Sequence, residues 1–221
     1  MATALPTRTA EIDRLRERMR RLEDGQARPE LAALPGLARA IRLRVGGAYQ
    51  VDGAGLALAL MAGPSRAGAW CAAVGMPDFG AEAAAELGVV LTRTILVPEP
   101  GESWLEATAA LVDVASLVLV RPPGRVPEST AGRLVARLRK RGAALVSLGP
   151  WPRAEASVRL AGPHWEGIGR GEGRLRARRL TVEVRRGAAP PRRTDLWLPS
   201  PDGEVGLAAL AARPTSVREV G

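Results

Sequence analysis

Between Ala48 and about Leu148, the sequence alternates short apolar runs with segments of helical periodicity. This alternation is typical of βαβ units, in which helices join parallel strands of one sheet. The predicted strands are Ala48–Val51, Trp70–Val74, Thr94–Val97, Leu117–Val120 and Ala144–Leu148. The predicted helices are Leu56–Met61, Gly80–Leu87, Ser103–Ala115 and Ser129–Arg141. We therefore expect an α/β fold with a mainly parallel central sheet.

Beyond Pro152 the spacing of apolar residues changes: they recur at every second position and no longer follow the period of a helix. Ala156–Ile168 and Arg174–Arg185 predict a C-terminal antiparallel hairpin around a glycine-rich turn. The apolar positions of the second strand change parity at Arg178, which predicts a β-bulge there.

The N-terminal segment carries an apolar stripe of two heptads that predicts an amphipathic helix over residues 9–24. The stripe consists of Ile12, Leu15, Met19 and Leu22. Two heptads alone form a marginal helix, so the stripe is a candidate partner helix that packs on its own domain or on another chain. We expect three parts: an N-terminal helical segment over 1–44, a core over 45–186, and a linker with a mobile tail over 187–221. Within the last part, Leu196–Leu198 is a candidate for a final edge strand.

The loop after the first predicted strand contains Gly53 and Gly55, and a predicted helix follows it. A phosphate-binding loop has the pattern G-x-x-x-x-G-K-[ST], whose lysine contacts the phosphates and whose hydroxyl contacts Mg²⁺. Here the loop is shorter, and Leu56 and Ala57 occupy the places of the lysine and the hydroxyl residue. The sequence therefore predicts a degenerate nucleotide loop that holds neither nucleotide nor metal.

Charge is concentrated in one part of the chain. The net charge is +9, and residues 133–193 carry 16 basic and 4 acidic side chains. Such a block suits nucleic acid or an acidic protein, although an arginine-rich solvated face is an equally good interpretation.

Cysteine, histidine and hydropathy exclude several classes of protein. Cys71 and His164 are the single residues of their types, which excludes a disulfide framework and a Cys/His zinc site. No apolar run reaches the roughly 18 residues of a membrane span, and no signal peptide is visible, so a cytoplasmic protein is expected.

From Ala48 to about Arg186, the order of elements resembles the ATPase core of the RecA recombinase family. This resemblance implies a RecA-like P-loop core in which Leu117–Val120 is the Walker B strand. It places the catalytic glutamate at Pro77 or Asp78 and the Walker B aspartate at or beside Arg121. Because these two positions and the loop lysine and hydroxyl all depart from the family pattern, the resemblance implies a protein that is not an enzyme and needs no cofactor.

More narrowly, a RecA-like chain without an ATPase site and rich in arginine resembles the ImuA-prime family of the actinobacterial mutasome. That resemblance implies a non-catalytic adaptor in SOS-induced translesion DNA synthesis, a mutagenic form of DNA-damage tolerance. Its partner would be ImuB, an inactive Y-family polymerase homologue, and through it an error-prone polymerase and the sliding clamp. The protein would be cytoplasmic, nucleoid-associated when engaged, and without a membrane or small-molecule partner.

Two further functions stay open. A single-stranded DNA-binding module would use the basic 133–193 region, with tryptophans that stack on bases or instead serve as core or interface anchors. The candidate DNA or partner contacts are Arg170, Arg174, Arg176, Arg178, Trp151 and Trp165. The other alternative is a SulA-type division inhibitor or a residual nucleotide-binding protein in which Asp78 acts as a base.

Overall fold

The structure is a computed structural model that describes residues 28–169, 172–203 and 205–207. The predicted helix over residues 9–24, with Ile12, Leu15, Met19 and Leu22, lies outside the described residues, and so does Arg170.

Helices and strands alternate along the described chain as far as β5, and strands alone follow. The helices are α1 (Pro35–Ala40), α2 (Ala54–Arg66), α3 (Ala81–Glu86), α4 (Trp104–Val112) and α5 (Glu128–Arg141). The first five strands are β1 (Ala48–Val51), β2 (Cys71–Val74), β3 (Thr94–Val97), β4 (Leu117–Val120) and β5 (Ala144–Leu148). The last four strands are β6 (Ala156–Gly169), β7 (Glu172–Arg185), β8 (Arg192–Trp197) and β9 (Gly206–Leu207).

All nine strands form one mixed sheet with the order β3-β2-β4-β5-β1-β6-β7-β8-β9. Neighbours from β3 to β6 run parallel, and the pairs β6–β7, β7–β8 and β8–β9 run antiparallel. The predicted α/β class, the mainly parallel sheet and the C-terminal hairpin are therefore confirmed.

The hairpin has two irregularities: the one between Glu166 and Ile168 has its extra residues on β7, whereas the one opposite the predicted position has its extra residue on β6. The β6–β7 ladder passes from Ala161 to His164 on β6 while it passes from Thr181 to Arg179 on β7, so the extra residue belongs to β6. Gly162 has a φ of +58°, and Pro163 has no N–H to donate to the ladder. The prediction of a bulge near Arg178 had the wrong strand at this position. Gly162 and Pro163 interrupt the ladder on β6, so the extra residue lies there.

The chain after residue 186 contributes more sheet than the predicted linker and tail contain. β8 pairs with β7 over six positions, and β9 pairs with β8 at Leu196 and Trp197. α1 packs against β8 and β9, so segments from the two ends of the described chain meet. The boundaries at 44/45 and 186/187 stay a prediction.

The sheet separates two hydrophobic cores. On β4, Leu117 and Leu119 belong to one core, and Val118 and Val120 to the other, because successive side chains of a strand point to opposite faces. α1 and α2 cover the first face, and α4 and α5 cover the second. Every residue of α2 from Leu56 to Ser65 is buried, so this helix has no solvent-facing side over those three turns.

Gly75 follows β2 and lies where the ends of β2 and β4 approach each other closely. It has a φ of +71°, and a Cβ at this position would lie 2.5 Å from the carbonyl oxygen of Arg121. We expect Gly75→Ala to lower the free energy of unfolding by about 2–4 kcal/mol through backbone strain and steric overlap, as measured by urea unfolding.

Gly132→Ala is the matched control for that measurement. Gly132 lies inside α5, where an added Cβ meets nothing within 4 Å. This change should raise the free energy of unfolding by about 0.5–1 kcal/mol, because alanine is the better helix former. Equal effects at both positions would contradict the described geometry at Gly75.

Asp113 at the end of α4 should make the fold sensitive to acid. Its carboxylate accepts hydrogen bonds from Arg137, at 2.7 and 2.6 Å, and from Arg141, at 3.0 and 3.4 Å. The bonds from Arg137 contribute most to lowering the pKa of Asp113 from 3.8 to about 2. Because the folded-state pKa is depressed, this stabilisation is complete above about pH 4 and is lost as pH falls toward 2.

The measurement is thermal unfolding between pH 6 and pH 2, with Asp113→Asn as the comparison. The wild-type melting temperature should fall more steeply below pH 4 than that of the variant, since the variant has no carboxylate to protonate. Parallel curves for the two proteins would show that the pair contributes nothing to acid sensitivity.

Candidate functional site

Four parallel strands, β1, β2, β4 and β5, end at the same edge of the sheet. In open α/β sheets, ligands bind outside this carboxyl edge. Gly53 follows β1, Asp78 follows β2 and Arg121 follows β4 directly. Only β5 lies between β1 and β4, and neighbouring strands are about 4.8 Å apart. The Gly53 loop and Arg121 thus lie at one edge, roughly 10 Å apart by strand spacing.

The degenerate nucleotide loop is short, and its helix turns inward. Gly53 is extended and precedes α2 without a side-chain cap, and the Ala57 N–H bonds to its carbonyl at 3.2 Å. Leu56 and Ala57 are completely buried in the first core. The positions that would carry the lysine and the hydroxyl of a phosphate-binding loop therefore belong to the packed interior.

Asp78 and Arg121, which the resemblance places at lost catalytic positions, bind each other. Arg121 donates to both carboxylate oxygens of Asp78, with Nη1–Oδ1 at 2.6 Å and Nη2–Oδ2 at 3.2 Å. These hydrogen bonds lower the pKa of Asp78, so the carboxylate is a weaker base than a free aspartate. Pro77, exposed beside it, offers no polar side chain. The carboxylate of Asp78 is therefore engaged by Arg121.

Metal-binding groups are also missing elsewhere in the described part of the chain. No group of three or more His, Cys, Asp or Glu side chains is placed to hold an ion there. Cys71 is buried inside β2, and burial raises the pKa of its thiol to about 12, so it is neither a ready nucleophile nor a ready ligand.

Arg178, a candidate DNA or partner contact, is committed to structural contacts. Its Nε donates to the carbonyl of Leu198 at 2.9 Å, and its guanidinium lies 5.0 Å from the ring centre of Trp165, its partner on β6. Burial lowers the pKa of Arg178. The side chain therefore ties β7 to its neighbours, and it covers Trp165, which is otherwise exposed.

Arg176 and Arg178 also border a groove of about 580 Å³ beside the start of α2. Glu86 and Asp202 line the same groove, so positive and negative side chains are mixed there. That balance favours neither an anion nor a cation. The backbone of Arg174 is part of β7, and its side chain lies outside the described part.

Trp151 does not have the exposure that base stacking requires. It is 4 % exposed and packs in the second core, and its backbone N–H donates to Gln50 Oε1 at 3.2 Å. The core interpretation of this residue therefore applies. Pro127 and Pro150 lie beside it in a groove of about 570 Å³ between the loops after β4 and β5.

Carboxylates pair with some of the arginines of the basic 133–193 region. Five of its arginines form ion pairs with acidic side chains. The pairs are Arg137–Asp113, Arg141–Asp113, Arg153–Glu128, Arg159–Asp52 and Arg193–Glu183. The formal charge of this block consequently overstates the field it presents to a partner.

A cluster of five arginines among the described residues lies where the sequence analysis predicted no site. A groove of about 570 Å³ brings together side chains from the α1 region and from the β7–β8 connection. Its basic residues, which we call the arginine groove, are Arg39, Arg42, Arg44, Arg186 and Arg192. The alternation of Ile41 and Leu43 with Arg42 and Arg44 was the one available signal, and it reveals neither Arg186 nor Arg192.

A family model, the MT3502 N-terminal domain, matches residues 36–153. The chain belongs to this family. The match covers β1 to β5 with the helices between them, and it ends before the antiparallel hairpin.

A curated relative is the uncharacterized protein Rv3395c of Mycobacterium tuberculosis (strain ATCC 25618 / H37Rv). It is 40% identical over 108 residues, which are 48% of this chain and 52% of the relative. The chain thus spans about half the length of the curated relative it matches. The relative is mycobacterial, which agrees with the actinobacterial part of the resemblance.

In the described part of the chain, no helix has the length and apolar character needed to span a membrane.

Position 56 provides a direct test of the closed nucleotide loop. Leu56→Lys should lower the free energy of unfolding by about 3 kcal/mol or more, because it places an unpaired ammonium in the core. Leu56→Met, which conserves volume, should cost less than about 1.5 kcal/mol. Chemical unfolding measures both, and a tolerated lysine that gains stability from Mg-ATP would show that this position faces a phosphate site.

Proposed function

We propose that this chain is a non-catalytic RecA-like adaptor in SOS-induced translesion DNA synthesis. It would bind an inactive Y-family polymerase homologue (ImuB) and, through it, an error-prone polymerase and the sliding clamp. The observation that carries the non-catalytic half is the Asp78–Arg121 pair. The choice of pathway and partner rests on the resemblance of the sequence to the ImuA-prime family.

The order of elements supports the RecA-like part of the proposal. A strand, a glycine loop and a helix come first, and parallel strands with intervening helices follow. The strands after β6 run antiparallel to their neighbours. This is the order that the resemblance to the recombinase core implies, over the same part of the chain.

The chemistry at the carboxyl edge supports a scaffold without ATPase activity. Phosphoryl transfer depends on a cation at the phosphates, a metal held by carboxylates and a residue that orients the nucleophile. Here a buried leucine, an arginine and a paired aspartate stand at those positions. Arg121 would repel Mg²⁺ and holds the carboxylate of Asp78, so the two substitutions reinforce each other.

The edge strand β3 supports the proposal that this protein is an adaptor. β3 pairs with β2 alone among the described strands, and Leu96 on β3 is 42 % exposed. Trp70 and Leu91, also exposed, precede the adjacent strands β2 and β3 and lie at their amino ends. Open strand edges and exposed apolar side chains are features through which proteins bind other chains. We therefore assign the polymerase homologue to this edge.

Binding to purified ImuB-type polymerase homologue tests the assignment. The full chain should bind it, and Leu96→Arg should weaken binding about tenfold or more, because a charge replaces an apolar contact at the centre of the interface. Leu175→Arg, at a position that is 50 % exposed on the hairpin, is the matched control and should bind as the wild type does. A chain without residues 1–25 tests the candidate partner helix in the same assay.

Failure of the full chain to bind the homologue would overturn the adaptor proposal. A thermal shift of several degrees with Mg-ATP would overturn its non-catalytic half, because ligand at about 100 times its dissociation constant adds roughly 2.7 kcal/mol to the free energy of unfolding. The expected result is binding of the homologue and no shift of the melting temperature with nucleotide.

The single-stranded DNA-binding alternative retains Arg176 and Trp165 as exposed candidate contacts and stays a prediction.

A further inference from the structure

The first wall of the arginine groove is a short extended segment that follows α1. The Leu31 N–H bonds to Leu43 O at 2.8 Å, and the Val45 N–H bonds to Pro29 O at 2.8 Å, so this segment is held antiparallel to the chain before α1. Leu43 is buried. Because side chains alternate along an extended chain, the residues on either side of it, Arg42 and Arg44, turn away from the core into the groove.

The second wall comes from the connection between β7 and β8. Arg186 follows β7, and Arg192 begins β8 opposite Val184 in the ladder. α1 packs on β8, and this contact brings Arg39 at the end of the helix to the same groove. Five guanidinium groups from segments about 140 residues apart therefore share one depression.

The charge of this groove is not compensated within the described chain. Glu30 is the acidic residue of its lining; Arg42 donates to it at 3.0 Å, and Arg44 lies 3.8 Å from it. Arg39 and Arg192 are exposed and form no ion pair with any described residue. Five arginines and one glutamate give the lining a formal charge of +4. Like charges held together repel each other, so this grouping favours an anionic ligand.

We propose that the arginine groove binds the phosphodiester backbone of nucleic acid. Every cation in it is an arginine, whose planar fork matches phosphate oxygens in a bidentate manner. No aromatic side chain lines the groove, so it offers no platform on which a base can stack. Contacts to phosphate without contacts to bases bind nucleic acid independently of sequence.

An acidic peptide fits this groove less well than a phosphate chain. Peptide recognition relies on apolar anchors in exposed pockets. The two larger aliphatic side chains of the lining, Ile41 and Val184, are 2 % and 4 % exposed. The remaining apolar residues are alanines and a proline. The inference is independent of the proposed polymerase partner, and it locates nucleic acid outside the candidate contacts of the hairpin.

The test is the binding of the full chain to a fluorescein-labelled oligothymidine of about 20 nucleotides, measured by anisotropy between 50 and 200 mM salt. The variant Arg39→Glu/Arg192→Glu removes the two unpaired arginines. We expect its affinity to fall about tenfold or more at low salt. The slope of log affinity against log salt should become shallower by about 1.4, which corresponds to two lost contacts to a single strand.

The matched control is Arg125→Glu/Lys140→Glu, which makes the same change in net charge at exposed residues outside the groove. It should retain most of the affinity and the slope, and the melting temperatures of both variants verify that they fold. If the first variant does not fold, Arg39→Gln/Arg192→Gln makes the same test.

Three results would overturn the proposal. One is an absence of oligonucleotide binding at 50 mM salt, and another is an equal loss of affinity in the groove and control variants. The third is competition by polyglutamate as strong as that by unlabelled oligothymidine of the same charge, which would assign the groove to an acidic peptide. None of these results depends on the polymerase homologue, so the two proposals fail separately.

Discussion

The burial of α2 from Leu56 to Ser65 determines how the start of this helix can be used. Its residues from Leu56 to Ser65 fill the space between the sheet and the segment before β1. At Gly63 the approach is so close that a Cβ would lie 2.5 Å from the carbonyl oxygen of Ala32. Positions 56 and 57, which are fully buried, cannot present a lysine and a hydroxyl to a ligand. The packing that stabilises the fold therefore leaves no place there for the side chains of a phosphate-binding loop.

At the carboxyl edge of the sheet, Asp78 and Arg121 bind each other and so connect two strand ends. Arg121 and Asp78 join the ends of β4 and β2 by two hydrogen bonds, and Gly75 allows these two strand ends to approach. An exposed ion pair contributes little to stability, so its main effect here is on reactivity. It occupies the carboxylate and places positive charge where a metal ion would lie. This is consistent with a protein that acts through its surfaces.

The sequence predicted the parallel part of the fold well, because short continuous apolar runs mark the buried strands and longer segments with helical apolar spacing, such as α5, separate them. β1, β3, β4 and β5 have the predicted bounds, and β2 begins one residue later, at Cys71. β8 escaped full prediction because Leu196 is its one buried residue. The site was harder: the period cannot show that Trp151 is core, that Arg178 covers Trp165, or that distant arginines converge. Those outcomes depend on tertiary packing.

The border of the family match divides the arginine groove. Arg39, Arg42 and Arg44 lie within the matched residues 36–153, whereas Arg186 and Arg192 lie beyond them. A homologue that shares the matched region alone inherits one half of this cationic surface. The two halves can therefore diverge independently, so that the capacity to hold a polyanion can be gained or lost in evolution by changes to the C-terminal strands, while the α/β body remains as it is.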